Sequence, residues 1–279
     1  FIRGIFFAVI ICVPLYYATL GPTSQGETLL MRVKIFGGLG MSIAFGAIGF
    51  FDDYIKVIKK RNLGLTAPQK LFLQFLAAGA YLFSLFMVGG SSITLIPFVG
   101  QIDLGPLYWV LAILIIVGMV NAVNFTDGID GLNGSVTFFV GVFVVIIAGV
   151  LNMYGLGIMA VSLSGACMGF LIWNFNPAKV FMGDTGSLFL GGMVCALAFG
   201  MDMPILLLPL GIVYICEILS VVLQVTYFKA THGKRLFKMS PIHHHFEMCG
   251  WSEVKICFVF SFITAIGGVA ALLAVLYGI

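Results

Sequence analysis

The sequence predicts an all-α polytopic membrane protein. Of its 279 residues, 61% are hydrophobic and only 9% are charged, whereas a soluble domain carries about 25% charged residues. The apolar runs are continuous rather than alternating, and they reach the length of about 20 residues that a bilayer-crossing helix needs. The mean hydropathy of +1.14 agrees with this prediction. The lipid bilayer is therefore an expected partner, and a nucleic acid is not.

Nine spans are predicted, and glycine or proline residues separate many of them. In chain order they are 3–20, 33–51, 70–90, 107–124, 134–151, 156–173, 186–200, 204–227 and 256–278. Glycines within the second and seventh spans predict close helix packing in lipid. The polar stretch 228–255 is predicted to be a loop, and residues 1–279 to form a single domain.

The lysines and arginines predict which side of the membrane each loop occupies, because cytoplasmic loops carry an excess of them. If the N-terminus starts inside and the nine spans alternate, one side receives 12 of the 14 basic residues. Only Arg32 and Lys34 fall on the other side. The basic side is therefore predicted to be cytoplasmic, with the end of this chain outside.

Five aspartates fall on the predicted cytoplasmic side, at or just beyond the ends of separate spans. They are Asp52, Asp53, Asp127, Asp130 and Asp184. Carboxylates of this kind can hold Mg²⁺, which prefers oxygen ligands and is used in phosphoryl chemistry to neutralise charge. Acids drawn from three loops onto one face of a bundle therefore indicate a metal site for phosphorylated substrates.

Two of these acid-bearing segments have both a functional and a structural interpretation. The pair Asp52-Asp53 ends a span, where one carboxylate can face the bundle and the other a loop, although a solvated helix end would look the same. The segment 121–134 is dense in Asn, Asp and Gly. Its polar groups suit a base, a ribose or a pyrophosphate, and the structural alternative is an Asx turn followed by a helix N-cap.

The segment 174–187 places Asp184 between Gly183 and Gly186 at the start of a span. Backbone N–H groups at a helix start attract anions, so Asp184 is well placed to hold a cation against a phosphate. Phe181 is a candidate for stacking on a base, with plain packing as the alternative.

A histidine run, His243 to His245, lies in the long polar stretch. Consecutive histidines do not share a helix face, so their spacing does not suit a zinc helix. They are candidates for donating to phosphate oxygens or a sugar and for proton transfer, and the alternative is a solvent-exposed run. Glu217 is the acid nearest a membrane midplane, which makes it a functional candidate, although a structural role is equally open.

Four motifs in this order resemble a known family. They are Phe51-Asp52-Asp53-Tyr54, Asn121-x-x-Asn124-x-x-Asp127-Gly128-x-Asp130-Gly131-Leu132, Phe181-Met182-Gly183-Asp184-Thr185-Gly186-Ser187 and Pro241-Ile242-His243-His244-His245-Phe246-Glu247. Together they resemble the bacterial phospho-N-acetylmuramoyl-pentapeptide-transferases, of the polyprenyl-phosphate N-acetylhexosamine-1-phosphate transferase superfamily. The resemblance extends from about Gly46 to the C-terminus.

The resemblance implies a Mg²⁺-dependent transfer of phospho-N-acetylmuramoyl-pentapeptide from its uridine diphosphate carrier to undecaprenyl phosphate, giving lipid I and UMP for peptidoglycan synthesis. It implies a multi-pass protein of the bacterial plasma membrane, a homodimer, with its active site on the cytoplasmic side. It makes Asp184 the metal ligand, Asp52 and Asp53 catalytic acids, and His243 to His245 part of the cleft. The implied substrate-binding residues are Lys56, Lys70, Asn121, Asn124, Asp127, Asp130, Asn174, Phe181, Gly183, Ser187 and Gln224.

The chain departs from the family pattern in two respects. Family members have ten spans, whereas nine can be read here, and the family's early Gly-Thr-Pro-Thr-Met-Gly-Gly segment has no counterpart. We therefore expect that the first span and the loop after it are missing from this chain. The sequence leaves two alternative functions: an N-acetylglucosamine-1-phosphate transferase, which the histidine motif disfavours, and an ion-coupled transporter, which would need more ionisable residues at mid-span.

Overall fold

The computed structural model describes residues 10–11, 29–59 and 64–278, and within them the chain is almost entirely helical. The elements in chain order are α1 (Leu29–Ile58), α2 (Ala67–Met87), β1 (Ile93–Ile96), β2 (Gly100–Asp103), α3 (Pro106–Thr126), α4 (Leu132–Val150), α5 (Tyr154–Asn174), α6 (Gly183–Gly200), α7 (Leu207–Leu210), α8 (Ile212–Ala230), α9 (Ile242–Glu247) and α10 (Glu253–Gly278). A π-helical turn, Val33–Gly37, lies within α1, and a 3₁₀ turn, Pro204–Leu206, precedes α7.

Eight helices in the described part of the chain are long and apolar enough to cross a membrane: α1 to α6, α8 and α10. The prediction of an all-α polytopic membrane protein is therefore confirmed. The predicted span 3–20 lies outside the described residues. Most of the other predicted spans match a helix to within a few residues, whereas α1 extends well beyond 33–51 at both ends.

The start of α2 shows how local sequence fixes a helix boundary. Thr66 is the N-cap in an extended conformation, and Thr66 and Gln69 form a capping box. The backbone N–H of Thr66 donates to Oε1 of Gln69 at 3.0 Å, and Pro68 lies in the first turn, where its missing N–H costs nothing. This boundary places Lys70 one turn into the helix.

Helix α6 is the centre of the bundle, because every residue from Gly186 to Gly200 is buried. Its glycines allow neighbouring backbones to approach closely. A Cβ at Gly191 would lie 2.7 Å from Cα of Val120 in α3, and one at Gly192 would lie 2.8 Å from Cα of Ser42 in α1. Close helix packing at small residues is therefore confirmed for α6.

The predicted span 204–227 is wrong as a single helix. The chain instead forms the 3₁₀ turn, then α7, and resumes as α8 at Ile212. Pro209 has no N–H to donate, and the N–H of Gly211 bonds back to the carbonyl of Leu207 at 2.9 Å. A continuous apolar run concealed this break. The predicted loop 228–255 also needs correction, since it contains the end of α8, all of α9 and the first turn of α10.

Strands β1 and β2 form an antiparallel hairpin at the end of the bundle that holds Asp202, with Ile93 opposite Asp103. The N–H of Leu95 donates to the carbonyl of Asp202 at 3.1 Å, and the N–H of Phe98 donates to that of Gly278 at 2.7 Å. Lys34 at the start of α1 forms an ion pair with Asp202 at 2.5 Å. This end lies opposite the aspartates that end α1 and begin α6.

Candidate active site

The close crossing of α1 and α6 brings the predicted acids together. A Cβ on Gly49 would lie only 2.2 Å from the carbonyl oxygen of Asp184, so the two backbones touch at this point. Asp52 and Asp53 follow within one turn of Gly49, and Asp184 opens α6. The glycine therefore allows carboxylates that are 131 and 132 positions apart in sequence to share one site.

Asp52, Asp53 and Asp184 form the acidic cluster. One oxygen from each carboxylate lies within 4.8 Å of the others. Asp52 is buried, and its Oδ1 accepts the backbone N–H of Leu65 at 2.7 Å. Oδ2 of Asp53 accepts the backbone N–H and the hydroxyl of Thr185 at 3.2 and 3.3 Å. The two adjacent aspartates thus face a loop and a neighbouring helix, as the sequence allowed.

Two lysines neutralise part of this charge. The ammonium of Lys56 lies 2.5 Å from Asp52, 3.5 Å from Asp53 and 3.2 Å from Asp184. The ammonium of Lys70 lies 2.9 Å from Asp184. Three carboxylates and two ammonium groups leave one negative charge when all five are ionised. Such a site attracts a further cation, and its lysines can turn to an anion once that cation is bound.

The donor set of the acidic cluster fits a divalent cation. All three ligands are carboxylate oxygens, which Mg²⁺ and Ca²⁺ prefer. The ammonium of Lys56 already has one oxygen of each carboxylate within 3.5 Å, so a single cation can be shared by all three. The cluster therefore qualifies as a metal site on its chemistry and spacing.

Asn124 in α3 holds Asp184 in place. Its amide donates to Oδ1 of Asp184 at 2.9 Å and to the hydroxyl of Ser187 at 2.7 Å, and Ser187 in turn donates to the carbonyl of Gly183 at 3.0 Å. These bonds leave Oδ2 of Asp184 facing the lysines. Asn124 therefore contacts the acidic cluster directly, and Ser187 contacts it through Asn124.

Asn121 lies about one helical turn before Asn124 in α3, and its side chain is hydrogen-bonded to other groups of the protein. Its amide donates to Oε1 of Gln74 at 2.7 Å and to the carbonyl of Val117 at 2.8 Å. Gln74 is fully buried and was not identified from the sequence. Gln74 lies four residues after Lys70, on the same face of α2, and this spacing is the sequence signal that could have identified it as part of the site. This pair ties α2 to α3 beneath the cluster.

Asp127 follows α3 and faces the cluster from another side. Burial, with the negative charges of Asp184 and Asp53, raises the pKa of Asp127 from its usual 3.8 to about 7, and His243 acts in the opposite direction. Its carboxyl group therefore titrates close to neutral pH. Such a group is a candidate for proton exchange or for binding a polar substrate.

Asp130 and Asn174 bind the loop after α3 to the loop after α5. Oδ2 of Asp130 accepts the N–H of Ala178 at 2.8 Å, and Oδ1 of Asn174 accepts the N–H of Gly131 at 3.2 Å. The amide of Asn174 donates to the carbonyl of Val180 at 2.8 Å. In this structure both side chains hold the loops together.

Phe181 lies just before α6, and Gly183 is the first residue of that helix. The side chain of Phe181 is 74% exposed, so it is available to stack on a ligand. Gly183 has a φ of 61°, and a Cβ there would lie 2.7 Å from Oδ2 of Asp53. Glycine is required at this position for both reasons.

Gln224 in α8 is separate from these contacts and fixes the loop after its own helix. Its Oε1 accepts the N–H groups of Leu236 and Phe237 at 3.0 and 2.9 Å. It also borders a cavity of about 350 Å³ together with Lys229 and Arg235. The structure thus gives Gln224 a loop-holding role beside a basic cavity.

The three histidines point in different directions. His243 is fully buried, and its Nδ1 lies 3.0 Å from Oε2 of Glu217. His244 pairs with Glu247, and Nδ1 of His245 accepts the N–H of Lys238 at 3.1 Å. A solvent-exposed run is therefore wrong for His243. The ring of His243 faces Gly128 in the loop that follows Asp127.

The fold and this site define a class: a multi-span helical membrane protein with a carboxylate and lysine cluster at one end, suited to phosphorylated substrates. Residues 35–202 match the sequence profile described as glycosyl transferase family 4. The chain belongs to this family and, within it, to the phospho-N-acetylmuramoyl-pentapeptide-transferases.

Curated relatives with the name phospho-N-acetylmuramoyl-pentapeptide-transferase support that assignment. The protein from Clostridium perfringens (strain SM101 / Type A) is 51% identical over 225 residues, which cover 80% of this chain and 69% of the relative. The protein from Clostridium botulinum (strain Eklund 17B / Type B) is 45% identical over 264 residues, covering 94% and 78%. The protein from Bacillus mycoides (strain KBAB4) is 46% identical over 266 residues, covering 90% and 79%.

Proposed function

We propose that this chain transfers phospho-N-acetylmuramoyl-pentapeptide from its uridine diphosphate carrier to undecaprenyl phosphate, giving lipid I and UMP in peptidoglycan synthesis. The observation that carries the proposal is the acidic cluster with its two lysines at one end of a membrane-spanning bundle. One substrate is a water-soluble anion and the other is a lipid with an anionic head. They can meet only at a membrane surface, which is where the cluster lies.

The reaction is an exchange of one phosphoanhydride bond for another. An oxygen of the lipid phosphate attacks the phosphorus that carries the sugar, and the bond between that phosphorus and the oxygen of UMP breaks. Both reacting groups are negative, so charge neutralisation is the main requirement for catalysis. The lysines of the cluster supply part of it, because Lys56 and Lys70 lie within reach of the same carboxylate.

We assign the metal site to Asp184 with Asp52 and Asp53, and the metal to Mg²⁺. When bound, Mg²⁺ neutralises the diphosphate and polarises its oxygens. Asn124 keeps Asp184 oriented through the 2.9 Å bond to its Oδ1. Asp53 is held against Thr185 at the start of α6, whereas Asp52 is buried and bonded to the Leu65 N–H. Asp53 is therefore the more accessible of the two for the lipid phosphate.

The nucleotide region is assigned to the face around Phe181. Its exposed ring is available to stack on the uracil base. Asp127 faces the cluster, and Ser187 contacts it through Asn124. Asp130 and Asn174 hold together the loops after α3 and α5, and Asn121 ties α3 to α2. Gln224 is assigned to a separate basic cavity, where Lys229 and Arg235 would attract an anionic group.

We further propose that the end with the cluster faces the cytoplasm of a bacterial plasma membrane and that the protein acts as a homodimer. The excess of Lys and Arg on the side of the cluster supports the orientation. In a variant whose native cysteines, including the exposed Cys249, are replaced by serine, a cysteine placed at Ser252, beside α10, would then react with an impermeant thiol reagent only in inverted vesicles. A cysteine at Ser92, beside the hairpin, would react only in intact cells from which the wall has been removed. The reverse pattern would refute the orientation.

The activity is tested by UMP release from purified protein, with each substrate and Mg²⁺ omitted in turn. We expect release only when the nucleotide sugar, undecaprenyl phosphate and Mg²⁺ are all present. N-acetylmuramoyl-pentapeptide should appear on the lipid when both nucleotide sugars are offered. Lipid-linked N-acetylglucosamine as the main product would contradict the proposal. Asp184→Asn should abolish release even at high Mg²⁺, and near-normal release in that variant would refute the metal assignment.

A further inference from the structure

Glu217 and His243 form a buried pair that the proposed mechanism does not use. Glu217 lies in the membrane-spanning helix α8, and both side chains have no exposed surface. Oε2 of Glu217 lies 3.0 Å from Nδ1 of His243 and 3.5 Å from its backbone N–H. An acid buried in a membrane helix is costly unless it is paired, so the partner explains why Glu217 is tolerated there.

The pair fixes which ring nitrogen of His243 carries a proton. An ionised carboxylate can only accept hydrogen bonds, so Nδ1 is the donor in the arrangement in which Glu217 is ionised. Nε2 then carries a lone pair when the ring is neutral and a second proton when the ring is charged. Nε2 is buried and has no hydrogen-bond partner among the described residues. A buried polar atom without a partner is rare in folded proteins and indicates a functional position.

The unpaired nitrogen is directed toward the active-site loop. A Cβ added to Gly128 would lie 2.1 Å from Nε2 of His243, so the ring abuts the backbone of that glycine. Gly128 directly follows Asp127, whose carboxyl group senses the charges of Asp53, Asp184 and His243. The side chain of His243 therefore joins the membrane-embedded part of α8 to the loop that borders the acidic cluster.

The charged and titratable groups around His243 come from three elements. Glu217 faces it from α8, His244 follows it in α9 with the two ring centroids 4.1 Å apart, and Asp127 faces it from the loop after α3. Glu217 is the one of these in hydrogen-bond contact with the ring. A change at Glu217 therefore acts on the cluster through His243.

We infer that Glu217 is a positioning residue for the transfer reaction: it holds the imidazole of His243 with Nδ1 protonated and Nε2 toward the loop that follows Asp127. This inference rests on the proposed function, because His243 then acts on the reaction through the loop that carries Asp127. Glu217 and His243 are both fully buried and touch no substrate in this structure. The carboxylate determines the orientation, the tautomer and the charge of the ring that abuts this loop.

The simplest competing explanation is that Glu217 only fastens α9 to α8. The variant Glu217→Gln distinguishes this explanation from the positioning role. The amide keeps the size and one acceptor oxygen but removes the negative charge. If Glu217 positions His243, kcat should fall by about 10- to 100-fold, as is typical when the residue that orients a functional histidine is changed. KM for the nucleotide sugar should change less than threefold, which corresponds to a binding free-energy change of about RT.

The pH dependence of kcat is a second measurement. If Glu217 only fastened α9 to α8, replacing it would leave this pH dependence unchanged. Removing the carboxylate takes a negative charge away from the ring, so a limb of the pH profile of kcat should move toward lower pH in Glu217→Gln. Glu217→Asp, which restores a carboxylate, should return that limb to its original position even if kcat recovers only in part. His243→Asn should remove the limb, and adding Glu217→Gln to it should cause no further loss.

Ser220→Ala is the matched control, because Ser220 is also buried in α8 and its hydroxyl donates to the carbonyl of Glu217 at 2.6 Å. It should leave kcat and the pH profile unchanged. The inference is overturned if Glu217→Gln retains the wild-type pH profile, or if its losses add to those of His243→Asn. If Glu217→Gln does not fold, His243→Asn decides, and a pH profile that keeps that limb in His243→Asn overturns the inference. Wild-type protein that releases no UMP would instead refute the proposed function.

Discussion

Gly49 is the position where the smallest change should have the largest effect. A Cβ there would lie 2.2 Å from the carbonyl oxygen of Asp184 and 2.6 Å from the nitrogen of Thr185, whereas ordinary contact begins at 3.4 Å. Both close atoms belong to the backbone and cannot rotate away. In Gly49→Ala, α1 and α6 must therefore separate by about 1 Å at their crossing, at a cost of about 1–3 kcal/mol.

That separation displaces the two aspartates of α1 from Asp184. A shift of about 1 Å at a catalytic site can lower the rate about 100-fold. We therefore expect Gly49→Ala to reduce UMP release by about that factor and to lower Tm in detergent. The assay is initial-rate UMP release at saturating substrates and Mg²⁺, with Tm measured on the same preparation.

Gly40→Ala is the matched control for Gly49→Ala. Gly40 lies in the same helix, and nothing is within 4 Å of the Cβ it would gain. A glycine to alanine change in a helix interior stabilises by about 0.5–1 kcal/mol, so this variant should keep full activity and an equal or higher Tm. The reasoning is refuted if Gly49→Ala retains more than half of the wild-type rate with an unchanged Tm.

Three further predictions concern the surroundings of the cluster. Lys70→Met removes the ammonium 2.9 Å from Asp184 and should lower kcat/KM at least about 10-fold, whereas Lys179→Met, whose ammonium lies over a tryptophan ring, should not. Asn124→Ala frees one oxygen of Asp184 and should raise the Mg²⁺ concentration for half-maximal activity about 10-fold; an unchanged Mg²⁺ dependence would contradict this. Because the pKa of Asp127 rises from 3.8 to about 7 on folding, its contribution to stability is fully present below pH 3.8 and is lost as pH rises from there through about 7. In EDTA, the Tm of Asp127→Asn should therefore exceed that of wild type by more at pH 9 than at pH 5, and a Tm difference that does not grow between these pH values would contradict this.

The sequence was sufficient to predict that acids from three segments converge. Lysines and arginines sort by membrane side, and that sorting places Asp52, Asp53, Asp127 and Asp184 at one end of the bundle without any knowledge of helix packing. Gly49 and Gly192 also indicated close helix contacts, since small residues are needed where backbones approach in lipid. These signals are strong because the bilayer limits the chain to a few arrangements.

Helix breaks were harder to predict than helices. The run from Pro204 is apolar throughout, so hydropathy extends it into one span, although Pro209 and Gly211 carry the local signals for a break. The hairpin at Ile93–Ile96 is short, and its register depends on contacts with Asp202 that are remote in sequence. Hydropathy registers the environment of a segment but not its backbone hydrogen bonds.

The sequence could not predict which hydrogen bonds each polar side chain makes. Asp130 and Asn174 have the residue types of a binding site, yet their oxygens accept backbone N–H groups of neighbouring loops. Glu217 could not be matched with His243, because 26 positions and a loop separate them. Which donor satisfies which acceptor depends on distances of about 3 Å, and those follow only from the packed structure.

The binding of one Mn²⁺ per chain, followed by electron paramagnetic resonance on the purified protein, tests the acidic cluster most directly. Wild-type protein should bind one ion that Mg²⁺ displaces, and Asp53→Asn and Asp184→Asn should each weaken its binding at least about 10-fold. Asp103→Asn, at the hairpin on the opposite end, should bind as wild type does. Equal Mn²⁺ affinity in Asp184→Asn and in Asp103→Asn would contradict a single metal site built by α1 and α6.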